Sequence, residues 1–185
     1  MRHVRPVSFV LPVRMVSTWR VRLVATQPNR KKRMGHPRIV IGELGSRLAK
    51  HQGLCLGFVV MPDHVHALVW FPEIQQISSF MNKWKEMTSK NLKKVLPQRF
   101  PKYWSSINKS DAIWQPRYYG FNIWSRTKVE EKLDYMHMNP VRAGLVERVI
   151  DWQWSSARWY VENRTVGLPI RWPPGLEFSD EFNVS

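Results

Sequence analysis

A single cysteine, Cys55, is all the thiol chemistry in this 185-residue chain. That excludes an internal disulfide framework and any four-thiolate zinc site, and it suits a reducing cytoplasm. Cys55 itself reads as a small core residue. Acidic groups are scarce: 14 Asp and Glu stand against 29 Lys and Arg, a net charge of +15. Such an excess destabilises a compact chain by self-repulsion unless a polyanion or solvent ions screen it, so nucleic acid is the leading expected partner. Long apolar runs are missing too. The opening MRHVRPVSFVLPVRM is basic and then apolar, but Pro6, Pro12 and Arg14 interrupt it before a secretory h-region or a membrane span forms. With no repeat and no low-complexity block, the expectation is a soluble, cytoplasmic chain with no membrane partner.

What is present is enough for a core. A hydrophobic share of 43%, with 12% aromatic, supports one compact domain at this length. The expected organisation is a basic arm over 1–14, a domain over 15–160 and a tail over 161–185. In STWRVRLVAT, 17–26, Trp19, Val21, Leu23 and Ala25 alternate with Thr18, Arg20, Arg22 and Val24, which predicts a half-buried strand with Arg20 and Arg22 on its open face. QPNRKKRMGHP follows, an exposed loop carrying Arg30, Lys31, Lys32 and Arg33; it is either solvated or in contact with phosphate. IVIGELGSRLAKH, 39–51, suits a helix ended near Gly53. The apolar LCLGFVV and VHALVWF then read as paired strands joined through a turn at Pro62 and Asp63.

The segment 77–96 predicts an amphipathic helix, with Ile77, Phe80, Met81, Trp84, Met87, Leu92 and Val95 near one stripe. Lys83, Lys90 and Lys94 recur on another face, where phosphates could sit, although a solvated lysine row has the same pattern. Two prolines and several serines make 97–112 an irregular connection. IWQPRYYGFNIW, 113–124, is aromatic and strand-like, and Pro116 suggests an edge position. A second helix is expected over SRTKVEEKLDYMHMN, capped by Ser125 or Thr127 and ended or kinked by Pro140.

Side chains on a strand repeat every second residue, so His64 and His66 share a face with Leu68 and Trp70, while Val65, Ala67, Val69 and Phe71 take the other. Two imidazoles pointing the same way can converge on one divalent ion. Two hydrogen-bonded histidines on a sheet face would give the same pattern, so the pair alone identifies no metal. Tyr135 and Asn139, four apart, fall about one turn from each other on the flank of the stripe Val129, Leu133 and Met136. An amide oxygen is a hard ligand that suits Mg²⁺ or Mn²⁺. An amphipathic tyrosine and a capping asparagine are the plainer readings of the same two residues.

MPDHVHALV, followed some seventy residues later by YMHMNPVRAGLV and then WQWSS, resembles the REP-associated branch of the single-tyrosine HUH (IS200-like) transposases over roughly residues 39–160. The resemblance implies an α+β fold, an antiparallel β-sheet with packed helices, in which a ferredoxin- or RRM-like palm holds the HUH strand centrally. It implies that His64, His66 and Asn139 bind Mg²⁺ or Mn²⁺, and that Tyr135 is the nucleophile that forms a 5′-phosphotyrosine with single-stranded or hairpin DNA. The activity implied is a structure-specific single-strand DNA endonuclease and strand transferase, in other words a transposase. The alternative is a non-catalytic hairpin DNA- or RNA-binding protein that retains the fold. Phosphate contacts are expected from the basic residues above and from Arg117 and Arg142. Relatives with insertion sequences act as dimers with exchanged helices; the REP-associated branch looks monomeric, and a monomer is expected here. The resemblance does not extend to the first strand or to the arm, so the DNA sequence recognised is left open. His137 lies about 200° around the helix from Tyr135 and is expected to be structural.

Overall fold

The computed structural model describes residues 16–22, 37–73, 75–105, 108, 110, 112–123 and 125–176. The basic arm and the Arg30, Lys31, Lys32 and Arg33 loop lie outside the described residues. So do Trp124 and the final nine residues.

Four antiparallel strands form one sheet in the order β2-β3-β1-β4, with β1 at Val16–Arg22, β2 at Leu54–Val60, β3 at His64–Trp70 and β4 at Tyr119–Ile123. Helix α1, Pro37–Lys50, joins β1 to β2, and α2, Gln76–Arg99, lies between β3 and β4. This β-α-β-β-α-β order on an antiparallel sheet is the ferredoxin-like arrangement, so the fold is the expected α+β palm with the HUH strand in an inner position. The first strand covers Val16–Arg22, and residues 23–26 of the expected 17–26 lie outside the described residues. Alternation works on β3 as read: Val65, Ala67, Val69 and Phe71 join a core cluster with Val40, Ile41, Leu44, Phe80 and Trp84 of α1 and α2. Leu68 and Trp70 join a second cluster with Val129, Leu133 and Met136 of α4, Arg126–His137. The sheet is thus covered on both faces, and α4 lies on the histidine face.

Helix α2 differs from its expected stripe. Thr88 and Leu96 are buried where Met87 and Val95 were expected. The reason is a hydrogen-bond relay: Thr88 Oγ1 donates to Trp84 O at 2.7 Å and accepts from Trp114 Nε1 at 2.7 Å, which satisfies a hydroxyl and an indole together. The helix also runs on through Pro97, and Pro101–Ser105 forms α3, so part of the expected irregular connection is helical. A proline at the start of α3 loses no intrahelical bond, because the first N–H groups of a helix have no partner. Among the described residues of the aromatic 113–124 stretch, Tyr119–Ile123 form the strand; it is an edge strand, and Pro116 precedes it.

The expected second helix ends early. Helix α4 stops at His137, and Asn139 opens the short α5, Asn139–Arg142. Pro140 is the cause, since it has no N–H to donate back into the preceding turn. Met138 between the helices stays in the αR region, φ −74° and ψ −13°, so the chain keeps its helical direction across the break. Ser125 caps α4, accepting from Lys128 N.

The WQWSS segment is an anchored extension of β2. Val60 N donates to Trp154 O, Ser156 N donates to Phe58 O, and Trp152 Nε1 reaches Val60 O at 3.0 Å. Helix α6, Ala157–Glu162, follows. Beyond it Val166, Leu168 and Ile170 are buried, and Ile170 bridges to Cys55. The described part of the 161–185 tail therefore packs on the outer edge of the sheet.

Candidate active site

The site starts from the turn between β2 and β3. Met61 N donates to His64 O at 2.8 Å, which closes the turn over Pro62 and Asp63 and starts β3 at His64. The His64 and His66 rings stand 4.8 Å apart, centroid to centroid, at 80° to each other. His64 is buried and His66 half-buried. Asp63 Oδ1 sits 2.7 Å from His64 Nδ1. A carboxylate at one ring nitrogen selects the tautomer with that nitrogen protonated and leaves the lone pair on Nε2, the usual supporting contact of a metal-binding histidine. In the sequence Asp63 read only as a turn residue.

Opposite the histidines runs β1, with Arg20 in register with His66 and Arg22 in register with His64. The structure thus brings these two arginine positions beside the pair. On the same side of the sheet, α4 approaches β2 unusually closely, because Gly57 has no Cβ. One built there would lie 2.3 Å from Leu133 Cδ2 and 2.7 Å from Met136 Cε. A register shift in the β2–β3 pairing falls between Cys55 and Gly57. Leu133 and Met136 flank Tyr135 in sequence, so this contact holds down the stretch of helix that carries the phenol. Tyr135 itself is 51% exposed, which makes its ring accessible to a large ligand.

Asn139 is half-buried, and its Nδ2 is buried without a hydrogen-bond partner. Among the described residues nothing accepts from that nitrogen, and a half-turn exchanges the amide's nitrogen and oxygen. Among the described residues no three His, Cys, Asp or Glu side chains gather to hold a metal. A site on the histidine pair therefore needs a different third donor, and an amide oxygen is of the right chemistry for a hard cation. The residues present fit a divalent ion in that sense.

His137 turns the other way, as expected. Its ring is buried, Nε2 lies 2.7 Å from Ser156 Oγ, and Ser156 Oγ also accepts from Phe58 N at 2.9 Å. Burial pushes the imidazole down to about 4, so it is neutral near pH 7. Its place is in a clamp between α4, β2 and the WQWSS segment.

The remaining basic residues are spread out. Arg142 is exposed and stands over the Tyr135 ring, Cζ to centroid 4.9 Å; Lys132 Nζ is 5.6 Å from the same ring. Lys83, Lys90 and Lys94 are exposed on α2, which packs on the opposite face of the sheet from the histidines, and Lys83 is paired with Glu86 at 2.9 Å. They do not join the site. Arg117 is exposed just before edge strand β4. Of the aromatics near it, Trp114 is core while Tyr119 is 74% exposed. No helix among the described residues is long and apolar enough to cross a membrane.

Comparison with known proteins places the chain in a family and gives it a fold relative. The family model for IS200-like transposases matches residues 15–139. The REP-associated tyrosine transposase of Escherichia coli (strain K12) is 28% identical over 99 residues, which cover 54% of this chain and 51% of that protein. A putative REP-associated tyrosine transposase of Haemophilus influenzae is 31% identical over 103 residues, covering 52% of this chain and 54% of that one. The chain thus aligns with about half the length of each of these curated relatives. A solved REP-associated tyrosine transposase bound to a REP hairpin has the same fold, with a TM-score of 0.63 at 19% identity, over 97% of this chain and 96% of that one.

Proposed function

The chain belongs to the IS200-like transposase family, and on that premise we propose that it cuts and rejoins single-stranded DNA next to hairpins, of the kind its relatives' names describe. Tyr135 is the nucleophile, and His64, His66 and Asn139 hold Mg²⁺ or Mn²⁺. The observation that carries the reading is that the two histidines and the helix bearing Tyr135 lie on one face of the sheet. In the step itself, Tyr135 Oη bonds to phosphorus, the bond from phosphorus to the 3′-oxygen breaks, the phenolic proton passes to solvent and the departing oxygen takes a proton from water. The product is a 5′-phosphotyrosine, which keeps a phosphodiester available for rejoining.

A phenol with an ordinary pKa near 10 is a weak nucleophile, and the phosphate it attacks is already negative. A divalent metal, when held by His64, His66 and Asn139, would supply Lewis acidity toward the phosphate. The protein's own part is to present two imidazoles from one strand, with His64 held by Asp63, and to keep Tyr135 on a helix clamped at Gly57 and His137. Arg20, Arg22 and Arg142 are the phosphate contacts nearest this chemistry. Arg117, exposed before the edge strand, would add a further contact, Arg30, Lys31, Lys32 and Arg33 are candidates that lie outside the described residues, and Lys83, Lys90 and Lys94 would meet DNA only where it passes to the far side of the sheet. Acting as a monomer, in a cytoplasm, completes the reading.

The test is incubation with a set of hairpin oligonucleotides and Mn²⁺, followed by a denaturing gel. A covalent protein–DNA adduct is expected with the wild type, and none with Tyr135→Phe, which should bind the same hairpins equally well. Tight binding with no adduct on any hairpin would support the non-catalytic reading instead.

A further inference from the structure

We propose that Arg142 is a positioning residue for Tyr135, holding the phenol ring by its face while its own edge is turned toward a phosphate. The proposal rests on the reading of Tyr135 as the nucleophile. Two contacts from one guanidinium carry it: Cζ lies 4.9 Å from the Tyr135 ring centroid, and Nη1 reaches the Tyr135 carbonyl oxygen at 3.5 Å. Both go to the same residue, so the arginine grips the side chain and the backbone of Tyr135 together.

The local fold explains why that grip exists. Helix α4 ends at His137, and the last carbonyls of a helix lack intrahelical donors. Pro140 at the start of α5 contributes no N–H, whereas a long cationic side chain from the next turn can reach back. Arg142 is the last residue of α5. It lies seven residues beyond Tyr135, two helical turns in a chain that keeps its direction, and therefore returns to nearly the same side. Ala143 N then bonds to Asn139 O, and Gly144, at φ +63°, turns the chain away.

The need for such a contact follows from exposure. A core tyrosine is oriented by its neighbours, but Tyr135 is 51% exposed, and Asp134 beside it and Met138 three residues on are exposed as well. A free ring would exchange among staggered rotamers. Stacking against a guanidinium favours one of them, and the plane of the guanidinium matters: its face takes the ring while its five N–H donors lie at the edge, available to phosphate oxygens. A lysine ammonium has the charge without the plane. Lys132, 5.6 Å from the same ring, adds a second cation on the preceding turn. Arg142 thus couples the two partners of the reaction, one on its face and the other on its edge.

The experiment compares the wild type with Arg142→Lys and Arg142→Gln; because Arg142 is exposed, neither change touches the core. In the DNA-free protein, NMR of ring-labelled tyrosine should show nuclear Overhauser contacts between Tyr135 and the Arg142 side chain, lost in both variants. With a hairpin that gives an adduct, Arg142→Lys should keep Kd within about twofold, because the charge remains. Its single-turnover adduct rate at saturating DNA should fall by about two- to fivefold, the factor equivalent to an exposed cation–π contact. Arg142→Gln should show the same rate loss together with weaker binding. A wild-type rate in Arg142→Lys, or absent Tyr135–Arg142 contacts in the wild type, would overturn the proposal while leaving Tyr135 as the nucleophile. Absence of adduct in the wild type itself would remove the nucleophile reading, and this proposal with it.

Discussion

Replacing Gly57 with alanine adds one methyl group at the point where β2 meets α4, the helix that carries Tyr135. The new Cβ would sit 2.3 Å from Leu133 Cδ2, 2.7 Å from Met136 Cε and 3.1 Å from Ser156 Oγ. Carbon atoms in contact settle at about 3.5–4.0 Å, so a gap of more than about 1 Å must open. Both colliding atoms are tips of flexible side chains, but Leu133 is 4% exposed and Met136 2%, within a filled cluster, so neither can swing aside freely. Overpacking of this kind costs about 1–3 kcal/mol, offset in part by the alanine's lower backbone entropy, about 0.5–1 kcal/mol. Urea unfolding should therefore show Gly57→Ala destabilised by about 1–2 kcal/mol. Leu133→Ala removes the nearest colliding atom. The double variant should consequently be more stable than the sum of the single changes predicts, by about 1 kcal/mol or more. Because α4 also carries Tyr135, the adduct rate of Gly57→Ala should fall even at temperatures where the variant is fully folded. A single variant within about 0.5 kcal/mol of the wild type, with strict additivity in the double, would refute the claim that this glycine sets the height of the helix above the sheet.

Three further outcomes follow from the same geometry. Asp63→Ala should weaken Mn²⁺ binding, read by calorimetry on the DNA-free protein, by about 10- to 100-fold with the fold unchanged, because His64 loses the carboxylate that fixes its tautomer; unchanged affinity would separate Asp63 from the metal. Cys55 is buried, and its thiol is pushed up to about 12 from 9.0. A group whose folded pKa is raised gives stability that is intact below its unfolded value and lost above it, so between pH 9 and 12 the wild type should lose about 1.4 kcal/mol per pH unit more than Cys55→Ala in parallel urea titrations; identical slopes would contradict the burial argument. Trp152→Phe removes the indole donor to Val60 O and leaves a buried carbonyl short of a partner, at a cost of about 1–3 kcal/mol in the same unfolding assay; a neutral result would show that the WQWSS anchor is carried by its backbone bonds alone.

Much of the palm could be read from the chain because its signals are local. The Pro62-Asp63 turn between apolar runs, the alternation on β3 and the cap at Ser125 each depend on neighbours within a few residues. What escaped depends on distant partners. Thr88 is buried through Trp114, twenty-six positions away, so periodicity alone favoured Met87. The lysine row on α2 faces the wrong side of the sheet from the histidines, a fact set by topology. Asp63 was visible only as a turn residue, since its bond to the next side chain requires the strand to begin there. Arg142 was placed among phosphate contacts, and its position over Tyr135 arises from the break at Pro140, which the sequence had suggested only as an end or a kink. Spacing on a strand showed that His64 and His66 share a face, while the roles given to them, to Tyr135 and to Asn139 came from the family resemblance; the close approach at Gly57 was not legible, because it takes two elements to make it.

The strand order has a consequence for how the molecule comes together in time. Strands β2 and β3 pair across a three-residue connection, whereas β1 reaches β4 only by closing a loop of roughly a hundred residues, an entropic cost that grows with loop length. Local pairings form first when topology sets the rate. The hairpin that carries both histidines can therefore be in place while the sheet's other half is still being gathered, and the tyrosine helix, which packs on β2 from more than seventy residues downstream, arrives later. In a chain emerging from synthesis, the hairpin with the histidine pair would then mature before the helix with Tyr135.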